Sequence, residues 1–174
     1  MTAQRVGSAA LTPAEISTRL IAYIIDAVVL SIVYLVLITA IVVGAFIQGD
    51  AGVTQALSRS ILFALASFLY FGWGWTHWRA TPGQRAMGVM TVNATDGSTM
   101  TWNQSALRWA YLFGPSAFES LFTNSQQVGG LISFVAGVAV LAYYVYLYRT
   151  SASDPKRQGF HDKQSGTIVV KAAA

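Results

Sequence analysis

The 174-residue sequence contains no cysteine, and only 10% of its residues are charged. Without cysteine the chain has no disulfide, no thiol nucleophile and no thiolate metal ligand. An average soluble domain is about 25% charged, so the low charge content argues against a soluble globular protein. Hydrophobic residues make up 54% of the chain, and the mean hydropathy is +0.49. Composition and length together predict one integral membrane domain over residues 1–174.

Several motifs of catalysis and ligand binding are also missing. The sequence has no nucleophile motif, no phosphate-binding glycine loop and no zinc-protease helix. His161 and Asp162 are adjacent, but two ligands with no third nearby make a weak metal site. We therefore expect no enzyme activity, no metal and no cofactor. The net charge of +4 is typical of the basic cytoplasmic loops of a membrane protein, so we expect no nucleic-acid partner.

Four apolar stretches are present, and each is long enough for a membrane-spanning helix, which needs about 20 apolar residues. They cover about residues 20–47, 59–76, 104–123 and 128–148. Thr12–Glu15 has the pattern of a capping box with proline at the first helical position, and it predicts the start of the first helix. Thr101–Gln104 also has the capping-box pattern, without a proline, before the third helix. The sequence therefore predicts an all-α membrane protein with four transmembrane helices.

The basic residues are distributed unevenly along this topology. If both termini and segment 77–108 are cytoplasmic, ten of the eleven lysines and arginines lie inside and only Arg59 lies outside. Basic residues favour the cytoplasmic side of a membrane. We therefore predict cytoplasmic termini in a multi-pass protein of a plasma membrane, which we expect to be bacterial.

The polar segment between the second and third helices, residues 79–102, carries a strand pattern. Its residues alternate around Asp96-Gly97, and this dipeptide is the strongest short signal for a β-hairpin. The tail segment Thr167–Val170 is also typical of a strand. We predict a small cytoplasmic hairpin with the tail strand on or beside it; two ordered loops are the alternative.

Three sequence blocks suggest a family. They are RLIAYIID at Arg19–Asp26, TPGQRAMGVMTVNATDG at Thr81–Gly97 and HDKQSGTIVV at His161–Val170. In this order and spacing they resemble the RDD family of small integral membrane proteins, which is named for an arginine and two aspartates. By this resemblance Arg19, Asp26 and Asp162 hold those positions. The resemblance also implies a connection with transport, since some members of the family are associated with sodium/proton exchange.

The chain departs from the family pattern at two places. Gln84 stands where the glycine of the middle block is usually followed by lysine, and Gln164 and Ser165 stand where the tail block usually has leucine and alanine. The first departure argues against a role for a charge at position 84. The second makes the tail block more polar.

The charged residues suggest a coupling site for protons or sodium. Arg19 and Asp26 lie on one face of the first helix, because residues seven apart are two turns apart. In this hypothesis Asp26 binds the ion, Arg19 adjusts how readily Asp26 takes up a proton, and Asp162 gates or orients Arg19. The alternative is that these residues attach the tail to the first helix. Glu119, close to Pro115, is a second candidate for cation binding; it would otherwise lie at the outer headgroup level.

A second hypothesis needs no transported ion. Basic residues on the cytoplasmic side would bind anionic lipid headgroups or a protein partner. These residues are Arg79, Arg85, Arg108, Lys156 and Arg157. In the transport hypothesis we expect a homo-oligomer, because four helices enclose little space for a path on their own.

Overall fold

The computed structural model of the chain describes residues 12–48, 53–126 and 129–172. Within these ranges the fold is mostly helical, with one small antiparallel sheet. The elements in chain order are α1 (Ile16–Gln48), α2 (Val53–His77), α3 (Pro82–Ala86), β1 (Val89–Asn93), α4 (Trp102–Gln126), α5 (Gly130–Ser153), α6 (Phe160–Ser165) and β2 (Thr167–Lys171).

The four long helices form a bundle whose inner surface is aromatic. Among the described residues α2 packs most extensively along α4, while α1 lies against α2 and α5 lies against α4. Phe71 of α2 stacks on Phe113 of α4 with ring centroids 4.6 Å apart. The buried centre also contains Leu30, Trp75 and Leu112. Burial of these side chains holds the helices together near one end of the bundle.

The outer surface of the bundle is strongly apolar. Leu35 of α1 is 65% exposed and Leu131 of α5 is 77% exposed, and many other large apolar side chains are exposed as well. Exposed apolar surface of this extent is typical of a surface that meets lipid. Among the described residues, Ile16–Gly44 and Gly130–Ser153 are long and apolar enough to cross a membrane, with mean hydropathies of 2.8 and 2.0.

The short elements form a polar layer at one end of the bundle, which we call the end layer (residues 12–15, 78–101 and 154–172). β1 pairs with β2 in antiparallel register, from Val89 opposite Lys171 to Asn93 opposite Thr167. Pro13 forms a further bridge to Val170. Both described ends of the chain therefore lie in the same layer.

The predicted helices are present, but the start of the first one is wrong. α1 begins at Ile16, and Thr12–Glu15 is extended instead of capping the helix. The Thr12 carbonyl accepts the Lys171 amide at 2.9 Å, and the Ala14 amide donates to Val169 at 3.0 Å. Pairing with β2 thus competes successfully with the helix for these backbone groups.

The remaining helix boundaries agree more closely with the sequence. The capping box of α4 is confirmed, because the Gln104 amide donates to Thr101 Oγ1 at 3.2 Å and the Thr101 amide donates to Gln104 Oε1 at 3.0 Å. The predicted start of the fourth helix at residue 128 lies outside the described residues. In the structure α5 begins at Gly130 and continues past Tyr148 to Ser153.

The predicted hairpin around Asp96-Gly97 is wrong, although its first strand and the tail strand are both present. The chain does turn there, with Gly97 at a φ of 71° and the Asn93 amide donating to the Ser98 carbonyl at 2.9 Å. Residues 97–101 form no strand, and β2 takes the place beside β1. A lone two-stranded hairpin is marginally stable, whereas the tail buries Ile168, Val169 and Val170.

Candidate functional site

Asp162 lies at the centre of a buried ionic cluster (Arg19, Arg108, His161 and Asp162), which we call the Asp162 cluster. Asp162 is completely buried in the first turn of α6, where its carboxylate also accepts the Gly159 amide at 2.9 Å. One carboxylate oxygen pairs with Arg108, and the other lies 3.5 Å from Arg19. Two guanidinium groups therefore share one carboxylate.

The arginines extend this cluster to the neighbouring elements. Arg19, one turn into α1, donates to the Arg157 carbonyl at 2.6 Å and to the Val169 carbonyl at 3.0 Å. Arg108, near the start of α4, donates to Thr167 Oγ1 at 2.7 Å and lies 5.2 Å above the Trp75 ring. The cluster thus joins α1, α2, α4, α6 and β2.

Electrostatics fixes the charge state of the end-layer members of the cluster. Burial alone would raise the pKa of Asp162, but the charges of Arg108, His161 and Arg19 outweigh burial and lower it to about 2. Burial lowers the pKa of His161 to about 4, and the repulsion from Arg108 and Arg19 acts in the same direction. At neutral pH the cluster therefore contains two cations, one anion and an uncharged imidazole.

Asp26 occupies a separate, completely buried position on α1. Its carboxylate accepts the Tyr70 hydroxyl at 2.7 Å, Thr81 Oγ1 at 2.5 Å and the Gly83 amide at 2.8 Å. We call these four residues the Asp26 pocket. All three donors are neutral groups, so they stabilise a negative charge without cancelling it.

The local sequence around α3 explains how the Asp26 pocket forms. Thr81 caps α3 by accepting the Gln84 amide at 3.2 Å, while Gln84 Oε1 accepts the Thr81 amide at 3.1 Å. Gly83 approaches α1 so closely that a Cβ there would overlap the Ala22 carbonyl oxygen and lie 2.8 Å from Asp26 Cγ. Only glycine fits this approach, and it places the backbone amide on the carboxylate.

Two adjoining cavities lie between the long helices. The larger, of about 430 Å³, is lined almost entirely by apolar and aromatic side chains from α1, α2, α4 and α5; we call it the apolar cavity. The smaller, of about 290 Å³, is lined by Arg19, Arg108 and His161 together with apolar side chains; we call it the basic cavity. Both are lined by Tyr23 and Tyr144, so the two cavities adjoin at these side chains.

A comparison with known families identifies the family of the chain. Residues 13–166 match the sequence model of the RDD family. The chain belongs to the RDD family. The matched region contains both the Asp162 cluster and the Asp26 pocket, and the family together with the apolar helices indicates a membrane protein. No curated protein and no solved structure matches the chain.

The structure separates residues that the sequence had grouped. Of the three residues at the family's named positions, Arg19 and Asp162 are in contact, whereas the described partners of Asp26 are those of its own pocket. Glu119 lies farther along α4 and is partly buried; it lines neither cavity. Among the described residues Arg19 therefore contacts Asp162, whereas Asp26 and Glu119 lie at two separate positions, and the coupling role of these residues stays a prediction.

The predicted basic face needs one correction. Arg108 is not part of an exposed face, because it is completely buried in the Asp162 cluster. Arg79 donates to the Gly97 carbonyl, Arg157 pairs with Glu15, and Arg85 lies over the exposed Trp78 ring at 4.8 Å. Lys156 is exposed.

Three functional candidates were missed from the sequence: Tyr70, Thr81 and Gly83. The Thr81–Gln84 segment has the capping-box pattern, so a short helix after the second span was predictable. The contact of that helix with Asp26 was not, because the two are far apart in the sequence. Tyr70 has no distinguishing pattern within its apolar helix.

Proposed function

We propose that this RDD protein is a small membrane transporter or transporter subunit, in which Asp26 binds the coupling proton or sodium ion. One observation carries this proposal: Asp26 is completely buried, and each of its three hydrogen-bond donors is neutral. A buried carboxylate without a counter-charge is costly. A proton or a small cation would remove that cost.

The charge distribution and topology support a four-span arrangement with cytoplasmic termini. Both described ends lie in the end layer, so the four long helices alternate in direction. Apart from Arg59, the described basic residues belong to this layer or to the helix turns next to it: Arg19, Arg79, Arg85, Arg108, Arg149, Lys156, Arg157, Lys163 and Lys171. This asymmetry favours an end layer on the cytoplasmic side.

Proton uptake at Asp26 would change the contacts of α3. An ionised carboxylate only accepts hydrogen bonds, whereas a protonated one carries an O–H that must donate. Protonation of Oδ2 would reverse its hydrogen bond with Thr81 Oγ1, a hydroxyl that can also accept, while Oδ1 can still accept from Tyr70 and Gly83. We therefore assign the moving part to α3, which is attached to Asp26 through Thr81 and Gly83.

Arg19 and Asp162 receive a different role from the one predicted from the sequence. Their contacts join α1 to α6 and β2, so in this proposal they hold the end layer in place. The end layer then stays in place while the charge of Asp26 changes, and Arg19 does not act on Asp26 directly.

The test is a flux measurement in liposomes that contain the purified protein. Internal pH is recorded after sodium or potassium is added outside, for the wild type, Asp26→Asn and Asp96→Asn. Asp96 is an exposed carboxylate of the end layer, so its variant is the matched control. We expect cation-dependent proton movement in the wild type and in Asp96→Asn, and none in a folded Asp26→Asn protein.

Two results would overturn this proposal. Wild-type liposomes without flux, with the protein intact and inserted, would exclude exchange of those ions. Undiminished flux in Asp26→Asn would exclude Asp26 as the coupling group.

A second candidate function rests on the surface of the end layer. Arg85 lies over Trp78, which is itself exposed, and such a pair suits the interface between lipid and water. In this reading the protein is a non-catalytic module that binds anionic headgroups or a protein partner. Such binding should weaken steeply with salt, and Arg85→Gln should reduce it, whereas ion binding at Asp26 should respond to pH.

We expect the transporter to act as a homo-oligomer. Gly129, at the N-cap of α5, and Ser133 and Gly137 within α5 follow at intervals of four residues, a pattern that permits close helix approach inside the bundle or between two copies. Gly129 and Gly137 are exposed, which favours an approach between copies. The mass of the purified protein in detergent tests this expectation, and Gly137→Leu should shift an oligomer towards the monomer.

A further inference from the structure

The Asp162 cluster carries an excess of positive charge. Arg19 and Arg108 share the single carboxylate of Asp162. The carboxylate of Asp26 belongs to a different pocket. His161 contributes no negative charge. A net cation buried beside a membrane core is costly unless an anion accompanies it.

The two arginines of the cluster have hydrogen-bond donors to spare. Among the described residues, Arg19 Nε and Arg108 Nε are buried without a partner, and the two side chains are 7% and 0% exposed. Buried polar atoms are normally satisfied, so these two N–H groups indicate a place where an acceptor binds. His161 Nδ1 is not a donor, because the single N–H of the uncharged imidazole lies on Nε2, 3.4 Å from the Asp162 carboxylate.

The position of these atoms defines what kind of molecule fits. Arg19, Arg108 and His161 line the basic cavity, which adjoins the apolar cavity at Tyr23 and Tyr144. The two cavities, of about 290 and 430 Å³, together fall in the size range of small-molecule sites. A ligand would therefore meet positive charge at one end and hydrocarbon along the rest of its length.

The way in is from the side of the bundle. The basic cavity is lined from α1 by Leu20 and from α5 by Tyr148, both of which are exposed. These side chains belong to the apolar outer surface of the bundle, which is typical of a surface that meets lipid. The occupant should therefore come from the bilayer.

We propose that the two cavities form a binding site for one anionic membrane lipid, with an acyl chain in the apolar cavity and the phosphate or carboxylate at Arg19 and Arg108. This site is separate from the Asp26 pocket, and it does not depend on ion coupling. It also differs from binding at the exposed basic face, because the recognising groups are buried between the helices.

Trp109 lines the apolar cavity and provides a direct readout. The full-length protein is placed in phosphatidylcholine bilayers with increasing fractions of bromine-labelled phosphatidylglycerol or bromine-labelled phosphatidylcholine. Bromine on the acyl chain quenches nearby tryptophan, and the part of the signal lost in Trp109→Phe is assigned to the cavity. We expect half-quenching of Trp109 at an about fivefold lower fraction of the anionic lipid, since a basic residue at a headgroup contributes on that scale.

Two variants separate the contributions of the two cavities. Ala117→Phe fills the apolar cavity and should abolish selective quenching, whereas Ala142→Phe, on the exposed face of α5, should not. Arg19→Gln should bring the two labelled lipids close to equal potency. Because Arg19→Gln removes structural contacts, its melting temperature is measured in parallel, and Ala117→Phe tests the proposal without touching the charged cluster.

Three results would overturn the proposal. Equal quenching by both labelled lipids in the wild type would mean that the cavity takes any acyl chain. Quenching that survives Ala117→Phe would place the lipid elsewhere. Inorganic phosphate alone, if it stabilised the detergent-purified protein as much as phosphatidylglycerol, would identify a site for a free anion instead of a lipid.

Discussion

The two completely buried aspartates of this RDD protein have opposite surroundings. Asp162 faces two guanidinium groups and the Gly159 amide, whereas Asp26 faces two hydroxyls and one backbone amide. One carboxylate thus has more positive charge around it than it can neutralise. The other accepts hydrogen bonds from neutral groups, and no cation pairs with it in the described part of the chain.

This difference in surroundings favours a structural role for Asp162 and a functional role for Asp26. A carboxylate shared by two arginines stays ionised, and the elements that those arginines contact remain fixed. A carboxylate held only by neutral donors is stable when ionised but gains from a proton or a cation. Asp162 therefore suits the role of a fixed joint, and Asp26 suits the role of a site whose charge changes.

We expect the largest loss of stability when the Asp162 carboxylate is removed. Asp162→Asn leaves Arg19 and Arg108 buried without their anion, and breaking such a pair costs roughly 3–5 kcal/mol. Asp26→Asn, the matched control, should cost clearly less, because it removes an uncompensated charge and keeps one acceptor oxygen. Thermal unfolding of both purified variants in detergent measures the difference. An equal or greater loss for Asp26→Asn would contradict the assigned roles.

The Asp162 cluster also predicts how stability depends on pH. The pKa of His161 is about 4 in the folded protein and 6.5 in an ordinary environment. Between pH 4 and pH 6.5 the imidazole is therefore protonated in the unfolded chain and uncharged in the folded protein. Stability is therefore complete above pH 6.5 and falls as the pH decreases towards 4, by on the order of 3 kcal/mol. Below pH 4 the loss continues through Asp162, whose pKa is about 2.

The measurement is the melting temperature between pH 7 and pH 4, with His161→Gln as the comparison. Glutamine keeps a polar side chain that does not titrate in this range. In the variant, the melting temperature should change much less between pH 6.5 and pH 4 than in the wild type. A pH dependence identical to that of the wild type would mean that other groups cause it.

The Asp26 pocket depends on one close approach. A Cβ at position 83 would overlap the Ala22 carbonyl oxygen, which belongs to the α1 backbone and cannot move aside easily. Gly83→Ala should therefore displace α3 and cost about 2 kcal/mol, in the range for overpacking. Gly44→Ala is the control, because a Cβ there meets nothing within 4 Å. Similar melting temperatures for the wild type and Gly83→Ala would show that α3 is not held tightly on α1.

Local patterns in the sequence predicted the long helices and part of the end layer. Apolar runs located the four long helices, the Thr101–Gln104 pattern located the start of α4, and the strand-like segment Thr167–Val170 located β2. Each of these features is decided by neighbouring residues. The contact of Arg19 with Asp162 was also expected, because the family blocks placed both residues at the same end of the bundle.

The parts that failed depend on long-range partners. β1 pairs with β2 at the far end of the chain and not with the segment after Asp96-Gly97, and Thr12–Glu15 pairs with β2 instead of capping α1. Arg108 has the sequence context of a cytoplasmic loop, yet it is buried by Asp162 and Trp75. Pairings of this kind are decided by tertiary packing, which local periodicity does not encode.

The smallest predicted effect tests the central contrast most directly. Tyr70 donates to Asp26 at 2.7 Å, and the strength of that bond depends on whether the carboxylate is ionised. A hydrogen bond to a charged group contributes about 1.5–3 kcal/mol, and one between neutral groups about 0.5–1.5 kcal/mol. Since Tyr70 is partly exposed, we expect a coupling energy of about 1.5 kcal/mol for an ionised Asp26.

A double-mutant cycle of Tyr70→Phe and Asp26→Asn measures this coupling from four unfolding free energies. Measured at pH 8 and again at pH 5, the cycle also reports the charge state of the pocket. A coupling that weakens at the lower pH means that Asp26 takes up a proton there, as a coupling group must. A coupling that is small and equal at both pH values would mean that Asp26 does not change its charge, and the two buried aspartates would then share a structural role.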